Sequence, residues 1–225
     1  MHWQPVDPRK LTARQSLAAD ALHVWWWPES QPPPTASRRA RADTILRSLL
    51  SLYLPVDAAA LRFGRESKGR PYLEHPNAPD FNLSDTDGGT VLVVSGTGRV
   101  GIDIERVDRK PPVLRLASRW FAPVEAGSLR ELDDESARNA FLRLWTAKEA
   151  SCKATGTGIF GYLSSWRFVV EEEDGPRLIA LPDNAGNAQR WQFHRLAPVP
   201  SHTVVLACRD APAVPRGFIV MEGSH

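Results

Sequence analysis

Short β-type segments occur in both halves of this 225-residue chain, and each half also contains helical segments. In the first half, residues 22–27, 90–95 and 100–105 have the composition of strands. The Gly-Thr-Gly turn between the last two predicts that they pair as a hairpin. Apolar residues at helical spacing predict a helix over residues 37–53.

The second half repeats this mixture of helix and strand. A helix is predicted over residues 136–155, because Gly156 is a typical helix terminator. Short strands are predicted at 165–170, 177–181, 190–196 and 203–209. The sequence therefore predicts an α+β fold of two similar lobes, each a small antiparallel sheet with helices. The lobes would comprise residues 1–106 and 107–225.

The composition excludes several classes of protein. The net charge of +2 is too small for a protein that coats nucleic acid or an anionic membrane. Cys152 and Cys208 are too few for a disulfide scaffold. Because the first residues lack the apolar core of a signal peptide and no apolar run reaches spanning length, we expect a cytoplasmic protein.

Two glycine-rich segments match the dinucleotide-binding pattern G-x-G-x-x-G, at residues 96–101 and 156–161. That pattern binds a pyrophosphate only where a strand precedes it and a helix follows. The first segment leads into a predicted strand, and the second follows a predicted helix. Neither therefore indicates a nucleotide-binding βαβ unit.

The strand around residue 103 carries two carboxylates on one face. Side chains alternate along a strand, so Asp103 and Glu105 point to the side opposite Val100, Ile102 and Ile104. A solvated acidic edge would have this pattern. A binding site for a hard cation such as Mg²⁺ would also use two neighbouring carboxylates, together with a third oxygen ligand and a phosphate partner.

The second-half helix carries a stripe of three chemically distinct residues. Trp145, Glu149 and Lys153 are spaced four apart and share one face. An exposed Glu–Lys pair would explain two of them. Trp145 indicates instead that this face packs on protein, where a carboxylate and an amine suit a base beside a group that neutralises phosphate.

Together these segments resemble the phosphopantetheinyl transferases, in particular the longer, pseudo-dimeric surfactin-synthetase-activating type. Residues 101–105 (Gly-Ile-Asp-Ile-Glu) and 145–154 (Trp-x-x-Lys-Glu-Ala-x-x-Lys-Ala) resemble the paired family signature. Residues 69–71, 81–84 and 120–125 resemble further family segments in the same order. The resemblance implies transfer of 4'-phosphopantetheine from coenzyme A to a serine of an apo-carrier protein, at a site between two lobes.

The resemblance also implies roles for the charged residues. Asp103, Glu105 and Glu149 would hold Mg²⁺, and Glu149 would accept the serine proton, either directly or through a metal-bound water. Lys153 would neutralise charge on the departing 3',5'-ADP and contact coenzyme A. The other coenzyme A contacts that it implies are Arg38, Arg70, Ser84 and Lys148.

Two features depart from the family pattern, and two other functions stay open. Asp85 stands where a histidine usually follows Ser84, and a proline-rich stretch replaces a basic lead-in. We expect Asp85 to orient an arginine among residues 38–41 that holds the 3'-phosphate. We expect the protein to be a monomer. The alternatives are an Mg²⁺-dependent phosphohydrolase and a non-catalytic module that binds coenzyme A or carrier proteins.

Overall fold

A computed structural model describes residues 1–11, 15–19, 21–29, 35–159, 161–169, 175–211 and 214–221. The helices within these ranges are α1 (Thr35–Leu50), α2 (Val113–Trp120), α3 (Pro123–Arg130) and α4 (Asp134–Thr155). The strands are β1 (Trp3–Val6), β2 (Leu22–Pro28), β3 (Phe63–Arg65), β4 (Pro71–Leu73), β5 (Asp80–Thr86), β6 (Gly89–Ser95), β7 (Arg99–Arg106), β8 (Arg167–Val169), β9 (Arg177–Ala180), β10 (Trp191–Leu196), β11 (His202–Arg209) and β12 (Pro215–Val220).

These strands form two main sheets. The first has the order β1-β12-β2-β6-β5, and the second has the order β10-β11-β7. Two short pairs, β3-β4 and β8-β9, lie outside them. The α+β prediction is confirmed. The first sheet differs from the antiparallel one expected, because β12 runs parallel to both β1 and β2.

The predicted hairpin between β6 and β7 is wrong. β6 forms its hairpin with β5 through a turn at Asp87 and Gly88, whereas β7 pairs with β11 in the second sheet. Valines of β6 and the apolar face of β7 meet in one fully buried cluster between the two sheets. Because packing face to face buries both apolar faces, the chain crosses between sheets instead of pairing locally.

Strand pairing also crosses the expected division between lobes at residues 106 and 107. The first sheet takes in β12 from the end of the described chain, and the second takes in β7 from the first half. The division itself stays a prediction. None of the helices in the described ranges combines the length and apolar character that a membrane span needs.

Helix α4 has clear signals at both ends. The side chain of Asp133 accepts hydrogen bonds from the backbone N–H groups of Glu135 and Ser136, each at 3.0 Å. Gly156 ends the helix with a left-handed backbone at φ 71°. The predicted stop at Gly156 is confirmed, and the helix begins two residues earlier than expected.

Gly101 lets the backbone of α4 lie directly on β7. A Cβ atom at this position would be 2.1 Å from the carbonyl oxygen of Ala150 and 2.4 Å from the backbone nitrogen of Ala154. No side chain fits in that space. The glycine thus sets the distance between the strand that carries Asp103 and the helix that carries Glu149.

We expect Gly101→Ala to destabilise the protein by about 3 kcal/mol, because the added methyl group meets rigid backbone on both sides. The free energy of unfolding in urea measures this. Gly127→Ala is the matched control, since no atom lies within 4 Å of a Cβ there. That change adds a helix-favouring residue to α3 and should leave stability equal or slightly higher. Equal effects of the two substitutions would contradict the close contact at Gly101.

Candidate active site

A pocket of about 560 Å³ opens where β5, β7 and α4 meet. Its wall is strongly charged and combines six carboxylates with four basic side chains. The charged residues that line it are Asp85, Asp87, Asp103, Glu105, Asp108, Glu149, Arg38, Arg106, Arg109 and Lys153. Every carboxylate that the sequence predicted as functional therefore borders one pocket.

Lys153 is the cation at the centre of this wall. Its Nζ lies 2.6 Å from Oδ1 of Asp103 and 3.9 Å from Oε2 of Glu149. The three side chains are largely buried, with Lys153 24% and Asp103 only 5% exposed. The helix stripe and the acidic strand, which are about fifty residues apart in sequence, thus form one ionic cluster.

Strand β5 supplies Ser84 to this cluster. The hydroxyl of Ser84 donates to Oδ1 of Asp103 at 2.9 Å and accepts from Nζ of Lys153 at 2.8 Å. Two residues of the same strand face hold the edge of β7: Asp80 accepts from the N–H of Val100, and Asn82 accepts from that of Ile102, each at 2.8 Å. β5 therefore fixes both the position of β7 and the direction of the Asp103 carboxylate.

Two glutamates of the pocket have raised pKa values, although basic side chains border the same pocket. Burial, with the neighbouring Asp103 charge, raises the pKa of Glu105 to about 7 and the pKa of Glu149 to about 8. Burial acts to lower the pKa of Lys153, but Asp103 and Glu149 outweigh it and the pKa is raised. Lys153 is therefore an ammonium at neutral pH, whereas Glu105 and Glu149 are partly protonated there in the metal-free protein.

Asp103 presents an oxygen suited to an added cation. Its Oδ2 is buried and accepts no hydrogen bond, although an ionised carboxylate oxygen is a strong acceptor. Across the described residues, no three His, Cys, Asp or Glu side chains are already grouped closely enough to hold a metal ion. Glu105 is also paired with Arg109, which follows it by four residues. The carboxylates of Asp103, Glu105 and Glu149 are oxygen donors of the kind that Mg²⁺ prefers. Lys153 contacts Asp103 and Glu149, and Arg109 contacts Glu105.

The structure places Lys148 away from the pocket, which contradicts its assignment to coenzyme A. Its side chain is fully buried, and Nζ donates to the carboxylate of Glu125 at 2.7 Å. It donates further to the carbonyl oxygens of Leu163, at 2.9 Å, and Trp166. Lys148 points to the other side of α4 from Lys153, so it stabilises the packing of α3 and the 163–166 segment.

Arg70 likewise binds protein rather than the pocket that contains Lys153 and Glu149. Its guanidinium makes two hydrogen bonds to Asp80, at 2.9 and 2.8 Å. It also donates to the carbonyl oxygens of Lys153 and Val100, both at 2.9 Å. These bonds tie the 66–70 loop to the ends of α4 and β7. Arg70 also lines a smaller pocket, of about 200 Å³, together with Lys153, so the contact with coenzyme A that the resemblance implied stays a prediction.

Arg38 does reach the pocket, from the first turns of α1. It pairs with Asp87 in the β5–β6 turn. Within the described residues Asp85 is exposed and has no ion-pair partner. Arg38, one of the arginines that we expected Asp85 to orient, pairs with Asp87 instead. Arg41 instead pairs with Glu29, at 3.1 Å.

The sequence interpretation missed four residues that build this site. Asp80, Asn82 and Ser84 are alternate residues of one strand. Because side chains alternate between the two faces of a strand, the sequence could have placed all three on one face. Arg109 follows Glu105 by four residues. Asp87 carries no local signal, because its partner Arg38 is 49 residues away.

The family profile and the relatives that this chain matches all carry the same description. Residues 99–208 match the sequence profile of the 4'-phosphopantetheinyl transferase superfamily. The chain is 34% identical over 184 residues to the 4'-phosphopantetheinyl transferase HetI of Nostoc sp., which covers 70% of this chain and 76% of that protein. It is 33% identical over 151 residues to the 4'-phosphopantetheinyl transferase Sfp of Bacillus subtilis, covering 66% of this chain and 65% of that protein.

Among solved structures, the chain is similar to the holo-[acyl-carrier-protein] synthase of Thermotoga maritima. The two share 24% sequence identity with a TM-score of 0.40. The matched region covers 50% of this chain and 62% of that chain.

We expect Lys148→Met to lower the free energy of unfolding by about 3–5 kcal/mol, because it leaves the Glu125 carboxylate buried without its cation. Adding Glu125→Gln should recover part of this loss. Lys68→Met, at an exposed lysine, is the control and should change stability by less than about 0.5 kcal/mol. Urea unfolding measures all three variants. A Lys148→Met protein as stable as the control would contradict the structural role.

We expect Glu149→Gln to raise the Tm of the metal-free protein, relative to the wild type, more at pH 8.5 than at pH 5. Because the pKa of Glu149 is raised from 4.5 to about 8, the folded state binds more protons than the unfolded state between these values. Its contribution to stability therefore falls as pH rises through that window. Thermal unfolding in a chelator at both pH values measures the effect. Identical shifts in Tm at pH 5 and pH 8.5 would contradict the raised pKa.

Proposed function

The chain belongs to the 4'-phosphopantetheinyl transferase superfamily, and we propose that it transfers 4'-phosphopantetheine from coenzyme A to a serine of an apo-carrier protein. The products would be the holo-carrier protein and 3',5'-ADP. One observation carries the proposal: the ammonium of Lys153 lies among Asp103 and Glu149 in a pocket bordered by further basic side chains. Such a wall provides both a proton acceptor and positive charge for a pyrophosphate.

Glu149 is the proposed acceptor of the serine proton. The serine oxygen would attack the β-phosphorus of coenzyme A as the bond to 3',5'-ADP breaks, and the proton would pass to the Glu149 carboxylate. In the metal-free protein the pKa of Glu149 is raised to about 8, and a bound Mg²⁺ would lower it, which would leave the carboxylate ionised and able to accept a proton near neutral pH. Its buried position supports this role, because burial is the main cause of that raised pKa.

Mg²⁺ is the proposed metal, held by Asp103, Glu105 and Glu149. When bound, it would neutralise charge on the pyrophosphate and polarise the phosphoryl group under attack. The buried and unpartnered Oδ2 of Asp103 supports this assignment. The raised pKa values of Glu105 and Glu149 support it as well, since a nearby cation would favour their charged forms.

Lys153 and Arg38 are the proposed partners of the substrate phosphates. Lys153 would stabilise the charge that develops on the departing 3',5'-ADP, and Ser84 would keep its ammonium in place. Arg38 borders the same pocket from α1 and pairs there with Asp87. It would bind a phosphate at the nucleotide end of coenzyme A in place of Asp87. We further propose that the protein acts as a monomer in the cytoplasm.

The direct test is intact-mass analysis of a panel of apo-carrier proteins after incubation with coenzyme A and Mg²⁺. A gain of one phosphopantetheine on a carrier, with release of 3',5'-ADP, is the expected result. Release of inorganic phosphate without a gain in carrier mass would favour a phosphohydrolase instead. Binding of coenzyme A without either product would favour a non-catalytic module.

We expect Lys153→Ala to lower kcat by roughly 10²- to 10³-fold and to raise the KM for coenzyme A much less. The reason is that Lys153 would act mainly on charge that develops in the transition state. Steady-state kinetics with the best carrier of the panel measures both constants. Lys153→Arg is the matched control, because it keeps the positive charge. A rise in KM alone, with kcat intact, would place Lys153 in ground-state phosphate binding.

A further inference from the structure

Among the described residues, each arginine that lines the active-site pocket is already paired with a carboxylate of the same chain. The three pairs are Arg38–Asp87, Arg106–Asp108 and Arg109–Glu105. A phosphate that binds one of these arginines must therefore compete with a carboxylate. The competition is strongest where the carboxylate is already held in place, because a fixed partner loses little conformational freedom on pairing.

The pair of Arg38 and Asp87 closes the end of the pocket formed by α1 and the turn between β5 and β6. Nη2 of Arg38 donates to Oδ1 of Asp87, across 49 residues of sequence. Nε of Arg38 is buried and has no hydrogen-bond partner in the described part of the chain. Arg38 therefore presents its Nη edge to the pocket, and Asp87 occupies that edge.

The turn that carries Asp87 is anchored to the second sheet by His202 of β11. Nε2 of His202 lies 2.9 Å from the carbonyl oxygen of Asp87, and it carries the ring proton because a carbonyl oxygen only accepts. Nδ1 of His202 is 2.9 Å from the hydroxyl of Ser201, which donates to it. The N–H of Glu29 also donates to the carbonyl oxygen of Gly88, at 2.9 Å. Asp87 thus belongs to a turn that is fixed through its backbone.

Acidic side chains outnumber basic ones at this end of the pocket. Asp85 and Asp87 line it together with Arg38, and Asp85 is exposed. Arg41, in the next turn of α1, pairs with the buried carboxylate of Glu29 at 3.1 Å. A phosphate that binds Arg38 therefore meets two carboxylates. In water, repulsion between two unit charges 4 Å apart weakens binding roughly fivefold.

We propose that Asp87 is a specificity-determining residue, which competes with the 3'-phosphate of coenzyme A for Arg38 and so reduces the preference for coenzyme A over 3'-dephospho-coenzyme A. The inference rests on the proposed function, which assigns Arg38 to the nucleotide end. The two substrates share the same diphosphate and differ only in the phosphate on the ribose.

The reaction is the same for both substrates. The serine oxygen bonds to the β-phosphorus, the bond from that phosphorus to the bridging oxygen breaks, and the serine proton passes to Glu149. The leaving group is 3',5'-ADP from coenzyme A and 5'-AMP from the dephospho form. Asp87 thus acts on the choice between the two substrates and takes no part in the bonds that form and break.

The first test compares Asp87→Asn with Asp57→Asn. Asparagine keeps the size of the side chain and the backbone carbonyl that binds His202. We expect Asp87→Asn to raise the ratio of kcat/KM for coenzyme A to that for the dephospho form by about three- to tenfold, because it removes a competing ion pair and a repulsive charge. Asp57 is exposed and lies outside the pocket, so the control should leave the ratio within about twofold of the wild type.

A double-mutant cycle shows whether Asp87 acts through Arg38. In Arg38→Met the ratio should fall toward one, because the cation that distinguishes the two substrates is lost. Adding Asp87→Asn to this variant should change the ratio by less than about twofold. An equal effect of Asp87→Asn with and without Arg38 would indicate simple repulsion and overturn the competition.

Nucleotide binding supplies a readout that needs neither carrier nor turnover. The wild type and Asp87→Asn are titrated with 3',5'-ADP and with 5'-AMP in a calorimeter, in the presence of Mg²⁺. Asp87→Asn should bind 3',5'-ADP about three- to tenfold more tightly and leave the affinity for 5'-AMP within about twofold. Equal tightening of both nucleotides overturns the inference.

The remaining outcomes separate the inference from the proposed function. Transfer by the wild type, with an unchanged ratio in Asp87→Asn, overturns the role of Asp87 and leaves the transferase activity standing. A lower ratio in Asp87→Asn makes Asp87 an orienting partner of Arg38 and overturns the competition. No transfer to any carrier from either substrate overturns the proposed function and the inference with it.

Discussion

The contact between the backbone of α4 and Gly101 of β7 is the constraint on which the rest of the site depends. With no side chain between them, Asp103 on the strand lies within hydrogen-bonding distance of Lys153 on the helix. The sheet is held from the other side, because Asp80 and Asn82 of β5 bind the free edge of β7. The charged cluster is thus positioned by rigid backbone elements rather than by loops.

This arrangement brings more acidic than basic side chains together in one pocket. Six carboxylates and four basic groups border one pocket, and the two glutamates nearest its centre have pKa values near neutrality. A folded chain keeps such a cluster only because the surrounding core stabilises it. The same imbalance favours any ligand that brings a cation and phosphates together, which links the fold to the proposed chemistry.

The candidate residues that the structure brings into one pocket are those that local periodicity had already grouped. The alternation of Asp103 and Glu105 and the four-residue spacing of Glu149 and Lys153 are visible within single elements. Lys148 shows the limit of that approach: its partner Glu125 lies 23 residues away, and no local pattern distinguishes a buried ion pair from a ligand contact. The predicted β6–β7 hairpin failed for the same reason, since burial of both apolar faces decides which sheet a strand joins.

The position of β12 has a consequence for how the chain acquires its structure. Residues 215–220 lie between β1 and β2, so these two parts of the first sheet stay apart until β12 has left the ribosome. Parallel pairing over such a separation forms slowly, because loop closure precedes any gain from contact. The edge of β2 that pairs with β12 therefore stays uncovered until β12 has been synthesised. The nascent chain depends on β12 to cover that edge and prevent association with other unfinished chains.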